Sequence, residues 1–511
     1  MSALKFLKSF KFWFWFVAFL GVLLRLRGFL AFRSLWLDEV ALLLQIRGRS
    51  YEELFFNGVA GNQGAPAAYL VISKAVMSQF SSFEVGARLL SLVSGISALF
   101  VSAWLVMVSF RDSFSRVFAL FAISVSPWLI FYSAEGKHYM LEALVALLVV
   151  CATIQYERHK LSLIVLIIVG VVSVWFSHNA PVVLCACGTI LIFRSWVARD
   201  WKAAGTLVVV CGVWVVSFTL HASTNMRALF GNQELFTYWR HGLAPWHDGV
   251  LAAGRWIVHV WGALMAYIFM PPGSHGSTDA VFPLWLGGWE GLLVAVVALG
   301  LTRMFRERSL LAPYTALILA VSFSLSLLRV SPFSARLVLY LVPFILIAAA
   351  SGVAAMIEIA RNRYPLLSAG AVALALLVMG PSVATSTERF VRPLNRSNMK
   401  VALRYLSETR APEDLVMMRR VDSTVAAMYI RRDRSLEMPV LDANWKIVNA
   451  PVMCNRLKKR LDTVPGRSVW IVGVLQAEEV SHAIDILGRD CVAVTSRFES
   501  DGFVAARIEA R

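Results

Sequence analysis

The chain has 511 residues, of which 58% are hydrophobic and 16% charged, and its mean hydropathy is +0.66. That balance excludes an ordinary soluble globular domain and points to a protein that crosses a membrane many times. The net charge of +17 does not point to nucleic acid, because the basic residues lie in short clusters between apolar segments, the pattern of cytoplasmic loops.

Lys5, Lys8 and Lys11 precede the first apolar stretch. Arg111 with Arg116, Arg158 with Lys160, Arg194 with Arg199 and Lys202, Arg303 with Arg306 and Arg308, and Arg361 with Arg363 follow between later ones. With these clusters on one side, spans of about 20 residues each fall near 11–31, 86–110, 117–135, 139–156, 161–178, 180–195, 204–221, 283–302, 311–329, 336–358 and 366–386. The expected topology has eleven crossings, with the N-terminus inside and the C-terminus outside. Apolar stretches near 65–80 and 255–270 fit as interfacial or re-entrant helices, and as full spans they would raise the count to thirteen. The first stretch reads FWFWF at Phe12–Phe16 and has no small-residue cleavage site, so it is expected to stay as a signal anchor.

The membrane domain is expected to cover 1–386, with an outer loop at 32–85. From residue 387 onward the chain carries 21 basic and 16 acidic residues, a shift expected on leaving lipid. The pattern there predicts a helix Asn398–Thr409, strands Leu415–Met418 and Ser468–Leu475, a helix Ala477–Leu487, and strands Cys491–Arg497 and Phe503–Ile508. The expected fold class is an α-helical polytopic membrane protein with a small C-terminal α/β soluble domain, 387–511, on the outer (periplasmic) face of a bacterial inner membrane. Cys151, Cys185, Cys187 and Cys211 read as small buried hydrophobes. Cys454 and Cys491 fall in the exported domain, where an oxidising compartment permits a disulfide but spacing does not decide one.

Polar residues gather at the outer ends of the predicted spans. Asp38 and Glu39, in Trp36-Leu37-Asp38-Glu39, open the first outer loop after Arg25 and Arg27. Adjacent carboxylates at the mouth of an apolar span are costly unless they bind a cation or move a proton. Glu135, Lys137, His138, Tyr139 and Glu142 form the next outer turn in FYSAEGKHYMLEAL, His178 and Asn179 end the fifth span, and Arg329 and Arg336 flank SPFSA. Each has a plainer reading. Asp38 suits the N-cap of a helix starting near Glu39, Glu135 and Lys137 suit a solvated turn, Glu142 suits a polar packing pocket, and Arg336 suits an interfacial snorkelling arginine. The loop Pro271–Ala280, with His275 and Asp279, reads as a flexible cover. Trp13, Trp15, Trp36, Trp239, Trp246, Trp256 and Trp261 suit an interfacial aromatic belt.

Taken in order, RGFLAFRSLWLDEV, GAPAAYLVISKAV, FEVGARLLSLVSG, YSAEGKHYML and SARLVLYLVPFILI resemble the C-type membrane glycosyltransferases, the superfamily of protein O-mannosyltransferases and lipid A aminoarabinose transferases. The resemblance spans roughly the first 390 residues. It departs at Gly64-Ala65-Pro66, where relatives often carry His or Lys before the proline, and at Lys137, where many carry Arg. It implies transfer of a sugar from a polyprenyl-phosphate carrier to a lipid, glycan or protein acceptor on the outer or lumenal face.

That chemistry assigns roles. A carboxylate that takes the acceptor proton as the new bond forms is needed, and Asp38 is the candidate base, with Glu39 as its neighbour that orients it, holds a cation or contacts the acceptor. The leaving phosphate needs positive charge rather than a proton donor, which Arg88, Lys137 and Arg336 are placed to supply, with Arg25 and Arg27 as further choices. Glu135, His138, Tyr139, Glu142 and His178 are candidates to contact substrate or a cation. A divalent metal ion is compatible with these carboxylates and imidazoles, although the spacing names no ligand set. The rival class is a membrane transporter of a lipid-linked or small anionic substrate, which ordinarily shows repeated halves that this sequence lacks.

Overall fold

A computed structural model describes residues 10–269, 289–363, 368–395, 397–431, 433–443, 468–474, 477–500 and 503–510. The chain divides into two compact units that do not follow chain order: Phe32–Leu44 and Leu394–Arg511 form the smaller, and Met1–Ala31 and Gln45–Pro393 the larger.

The larger unit is helical. It holds α1 Phe10–Leu30 and the end of α2 Leu37–Gly48, then α3 Tyr51–Phe56, α4 Ala67–Gln79, α5 Phe83–Ser109, α6 Ser113–Ser124, α7 Pro127–Tyr132 and α8 Tyr139–Glu157. It continues with α9 Leu163–Phe176, α10 Ala180–Val197, α11 Trp201–Ser223, α12 Gln233–Tyr238, α13 Val250–Phe269, α14 Trp289–Arg306, α15 Leu311–Leu327, α16 Val342–Arg363 and α17 Ser368–Val391. Side chains start several of these helices. Ser82, Asp112, Ser162 and Asp200 each accept the backbone N–H three residues on, satisfying a donor that the first helical turn leaves open.

Seven of the described helices are long and apolar enough to cross a membrane: α1, α5, α8, α10, α11, α13 and the run Ala335–Arg361. Three further apolar helices, α6, α9 and α15, are shorter. The chain is an integral membrane protein. Two expectations are refined. The span expected at 117–135 is broken into α6 and α7, because Pro127 starts the second piece and disfavours helical backbone at the residue before it. The stretch near 255–270, expected as an interfacial or re-entrant helix or else a full span, is a continuous helix of 20 residues, whose hydropathy in sequence is lowered by Arg255 and His259. The stretch near 65–80 forms the 13-residue α4.

Helices α14 and α16 touch backbone to backbone. A Cβ on Gly300 would lie 1.8 Å from the Ala348 carbonyl oxygen, and one on Gly352 would lie 2.0 Å from that of Val296. Close approach through small residues is how helices gain dispersion contacts where lipid removes the hydrophobic drive. Gly300→Val therefore forces the pair apart, since the obstructing atom is main chain and cannot rotate away. The expected result is loss of the monodisperse peak in fluorescence-detected size exclusion of detergent-solubilised protein, with Gly300→Ala lowering the apparent Tm. An unchanged elution profile for Gly300→Val would contradict this packing.

The smaller unit carries a five-stranded sheet of order β2-β1-β3-β5-β4, built from β1 Leu415–Arg419, β2 Val440–Ala443, β3 Val469–Gly473, β4 Val492–Ser500 and β5 Phe503–Ala510, with helices α18 Met399–Thr409, α19 Arg420–Ile430 and α20 Ala477–Asp490. β1 pairs in parallel with β2 and β3, while β5 runs antiparallel to β3 and β4. The parallel β1–β2 pair needs a crossover, and α19 supplies it. On one face α20 buries Val480, Ile484 and Leu487 against Ile471, Val504 and Ala506, the spacing of an amphipathic helix. The sequence reading found α18, β1, β3, α20, β4 and β5 to within a few residues; α19 and β2 were not expected.

Residues 32–44 belong to this unit through hydrogen bonds. Leu35 N–H donates to the Tyr429 hydroxyl (2.8 Å), Lys400 N–H donates to Ser34 Oγ (3.2 Å), and the Arg33 guanidinium donates to the Leu394 carbonyl (2.7 Å).

Asp414 is the polar centre of the sheet unit and is 1% exposed. It accepts from Ser468 Oγ, from Trp470 Nε1 (3.1 Å) and from Ala411 N–H (3.1 Å), with Arg507 Nε 3.3 Å away. Burial alone would raise the Asp414 pKa, but the donors and Arg507 outweigh it and hold the carboxyl below its usual range. A lowered folded value means that this group stabilises the fold above the ordinary aspartate pKa of ~3.9, and that the contribution is lost as pH falls through the folded value. Asp414→Ala is expected to cost about 2–4 kcal/mol by stranding the buried donors. The measurement is hydrogen exchange across Leu415–Arg419 and Val469–Gly473 in the full chain: protection falls in the variant at neutral pH, and in the wild type only in acid. Equal protection in both would remove Asp414 from this role.

Candidate functional site

The turn between α7 and α8 is buried from end to end, not solvated. Glu135 is 1% exposed and Lys137 3%, and His138, Tyr139 and Glu142 are also buried. Lys137 N–H donates to the Glu135 carbonyl (2.7 Å), closing a tight turn around Gly136. The turn is pinned from outside by Ser91 Oγ on α5, which donates to the Lys137 carbonyl (2.9 Å). The Lys137 ammonium donates to Gln63 Oε1 (2.6 Å), a partner that the sequence reading did not single out. Charges held this deep in an apolar helical unit are expensive and characteristic of functional sites.

Glu142 lies one turn into α8. Its two carboxylate oxygens accept from His178 N–H (3.0 Å) and from Asn179 Nδ2 (2.9 Å) in the α9–α10 loop. Asn179 Nδ2 also lies 3.4 Å from the Leu337 carbonyl, bringing the segment Ala335–Leu341 to the same place. Ala335 takes φ 42°, a conformation that residues other than glycine rarely hold. It directly precedes Arg336, which is buried and packs its guanidinium over Tyr139 (5.8 Å to the centroid) and Trp239 (5.3 Å). Arg336 is thus buried beside aromatic rings rather than snorkelling to an interface. Trp239 and Trp256, expected in an interfacial belt, are both buried, Trp256 with its indole N–H on the His241 carbonyl (2.8 Å). Trp13 and Trp15 are exposed.

His138, Tyr139 and Tyr69 pack as neighbours, and the His138, His178 and His221 rings follow one another at centroid spacings of 6.0 and 5.6 Å. One ligand atom from each of His138, Glu142 and His178 lies within 4.8 Å of the others. His221, at the end of α11, was missed in the sequence; a histidine inside an otherwise apolar span was the available signal.

The cationic candidates separate. Arg88 is buried in α5. Arg25 is 1% exposed and spends its guanidinium on carbonyls, donating to Gly21 (2.9 Å), Ser124 (3.4 Å) and Ile123 (3.3 Å). It therefore ties α1 to the open C-terminal carbonyls of α6. Arg27 lies over the Phe390 ring (5.9 Å), and Arg329 donates to the Ala244 carbonyl (2.7 Å).

Asp38 and Glu39 stand in the smaller unit. Helix α2 starts at Leu37, so Asp38 is in its first turn and is not its N-cap. Glu39 closes that end instead, its buried Oε2 accepting from Trp36 N–H at 3.3 Å, the return half of a capping box. Asp38 is half-buried at the positive end of α2, where the helix favours an anion. His275, Asp279 and Cys454 lie outside the described residues. Cys491 is buried and disulfide-bonded.

Among solved structures, the apo oligosaccharyltransferase of Archaeoglobus fulgidus aligns over 93% of this chain and 71% of its own, at 13% identity and a TM-score of 0.52. The archaeal oligosaccharyltransferase AglB of the same organism, in complex with an inhibitory peptide and a dolichol-phosphate, aligns over 97% and 74%, at 13% identity and a TM-score of 0.50. The chain shares its fold with these archaeal oligosaccharyltransferases. ArnT from Cupriavidus metallidurans bound to undecaprenyl phosphate covers 96% of this chain and 98% of its own at 12% identity, but its TM-score of 0.45 adds nothing to the assignment. No protein-family model matches the sequence, and no curated protein matches it. At this identity the likeness is one of fold, so the chemistry has to be argued from the side chains.

Proposed function

We propose that this protein is a membrane glycosyltransferase that moves a sugar from a polyprenyl-phosphate donor to an acceptor, at the periplasmic face of a bacterial inner membrane. The observation that carries the reading is the burial of Arg88, Lys137 and Arg336, and of Glu135 and Glu142, within one helical unit. A lipid-phosphate leaving group needs fixed positive charge in a place with little water, where such charge acts strongly. The shared fold supports it, since AglB is solved with a dolichol-phosphate.

In this reading Lys137, Arg88 and Arg336 receive the donor phosphate. Asp38 takes the acceptor proton as the acceptor oxygen attacks the anomeric carbon and the phosphate departs, which inverts that centre. Glu39 holds the first turn of α2 in place through Trp36 N–H, a positioning role. Arg25 is assigned to the backbone carbonyls it already binds. The acceptor chemistry is a lipid, a glycan or a protein, and pocket shape selects among them.

The deciding experiment reconstitutes the purified chain with polyprenyl-phosphate sugars and a cell-envelope extract, and follows release of free polyprenyl phosphate. Release coupled to sugar on an acceptor is the expected result. Donor translocated across the bilayer without breakage of the sugar–phosphate bond would instead identify a transporter.

A further inference from the structure

Sugar transfer from a lipid-phosphate donor, with the phosphate as leaving group, makes no use of the donor set that closes the far side of the turn. His138 has helical backbone, φ −77° and ψ −11°, so it stands one turn ahead of Glu142 on the same face of α8. His178 reaches them from the α9–α10 loop, and one ligand atom from each of the three lies within 4.8 Å of the others. The Glu142 carboxylate is aimed by the His178 backbone N–H and by Asn179 Nδ2, and each oxygen keeps a further lone pair. Outer hydrogen bonds of this kind orient metal ligands. Nε2 of His178 is buried with no hydrogen-bond partner, a cost that a bound cation would offset.

We infer that His138, Glu142 and His178 form a site for one divalent transition-metal ion, best matched by zinc. Hard cations such as magnesium and calcium choose all-oxygen sets, whereas two neutral imidazoles and one carboxylate are a donor set of zinc with an open fourth position. Zinc–ligand bonds of about 2.0–2.1 Å place ligand atoms roughly 3.3 Å apart in a tetrahedron, so the three side chains close onto the ion by small rotations. The open position accepts water or a phosphate oxygen. The site does not depend on the glycosyltransferase reading, because metal content is measured without any substrate.

The test uses the full-length chain in detergent, without an affinity tag, equilibrated with zinc, desalted, and assayed by mass spectrometry for metal. About one zinc per chain is expected in the wild type, and loss of that zinc in Glu142→Gln and in His178→Ala. Asn179→Ala, which leaves all three ligands in place, is expected to weaken zinc about 10- to 100-fold. Should the ligand variants fail to elute as monodisperse protein, cobalt(II) added to the wild type decides, the intense visible bands of a tetrahedral N/O site being the expected spectrum. No retained zinc in the wild type, full retention in folded Glu142→Gln, or a weak octahedral cobalt spectrum would each overturn the site.

Discussion

Asp38→Asn is expected to reduce sugar transfer by about 10²–10⁴-fold, the range for removing a general base from a positioned proton transfer. The amide keeps the size and first-turn placement of the carboxylate in α2, and Glu39 still caps that helix through Trp36 N–H. Folding and donor affinity should therefore stay close to wild type, and the loss should fall on kcat rather than on KM. The control is Glu39→Gln. It retains a side-chain acceptor for Trp36 N–H and should cost far less activity, since its part is to hold the helix end. Purified Asp38→Asn turning over at the wild-type rate would dismiss Asp38 as the base. Equal losses in both variants would assign the effect to helix geometry instead.

Lys137→Ala is expected to weaken use of the lipid-phosphate donor by about 10- to 100-fold, the equivalent of one charge-assisted hydrogen bond of about 1.5–3 kcal/mol. Lys137→Arg should recover part of this, because it restores charge while changing how the group reaches Gln63, now 2.6 Å from the ammonium. Arg336→Lys is expected to recover less. The guanidinium lies over Tyr139 and Trp239, and an ammonium reproduces its charge but not its planar, delocalised shape. The readout is the dependence of initial rate on polyprenyl-phosphate sugar. A donor KM and kcat unchanged in Lys137→Ala would exclude Lys137 from the phosphate site.

The sheet unit illustrates which elements local pattern can reveal. Helix α20 was readable because Val480, Ile484 and Leu487 repeat at helical spacing, and β3 because its five residues form an apolar run ending at Gly473. Strand β2 is only Val440–Ala443 and includes Asp442, too short and too polar for periodicity to register. Helix α19 begins at Arg420, directly after β1 ends at Arg419, and without a linker of turn residues the change of period went unseen.

The polar site shows the same limit more sharply. The motif around Glu135 to Glu142 was conspicuous in sequence as charge between apolar runs and read as a candidate site, with a solvated turn as the plainer alternative for Glu135 and Lys137. In the structure it is enclosed by α5, the loop carrying Gln63, the α9–α10 loop and the segment ahead of α16. Arg25 shows the converse: an arginine near the outer end of an expected span read as a phosphate ligand, yet the open carbonyls of α6 take its donors. His178 and Glu142, 36 residues apart, have nothing in their spacing to connect them.

Sequence alone settled that this is a helical membrane protein with a charged α/β tail, because hydropathy and period are sums over neighbouring residues, which a window along the chain contains. Tertiary structure alone decided which polar groups meet. A buried carboxylate, imidazole or guanidinium must find its partner wherever helix crossings bring one within hydrogen-bond reach, so Glu142 is matched to His178 and Asn179, Lys137 to Gln63, and Arg25 to the end of α6. Those pairings depend on three-dimensional packing, which no window along the chain contains.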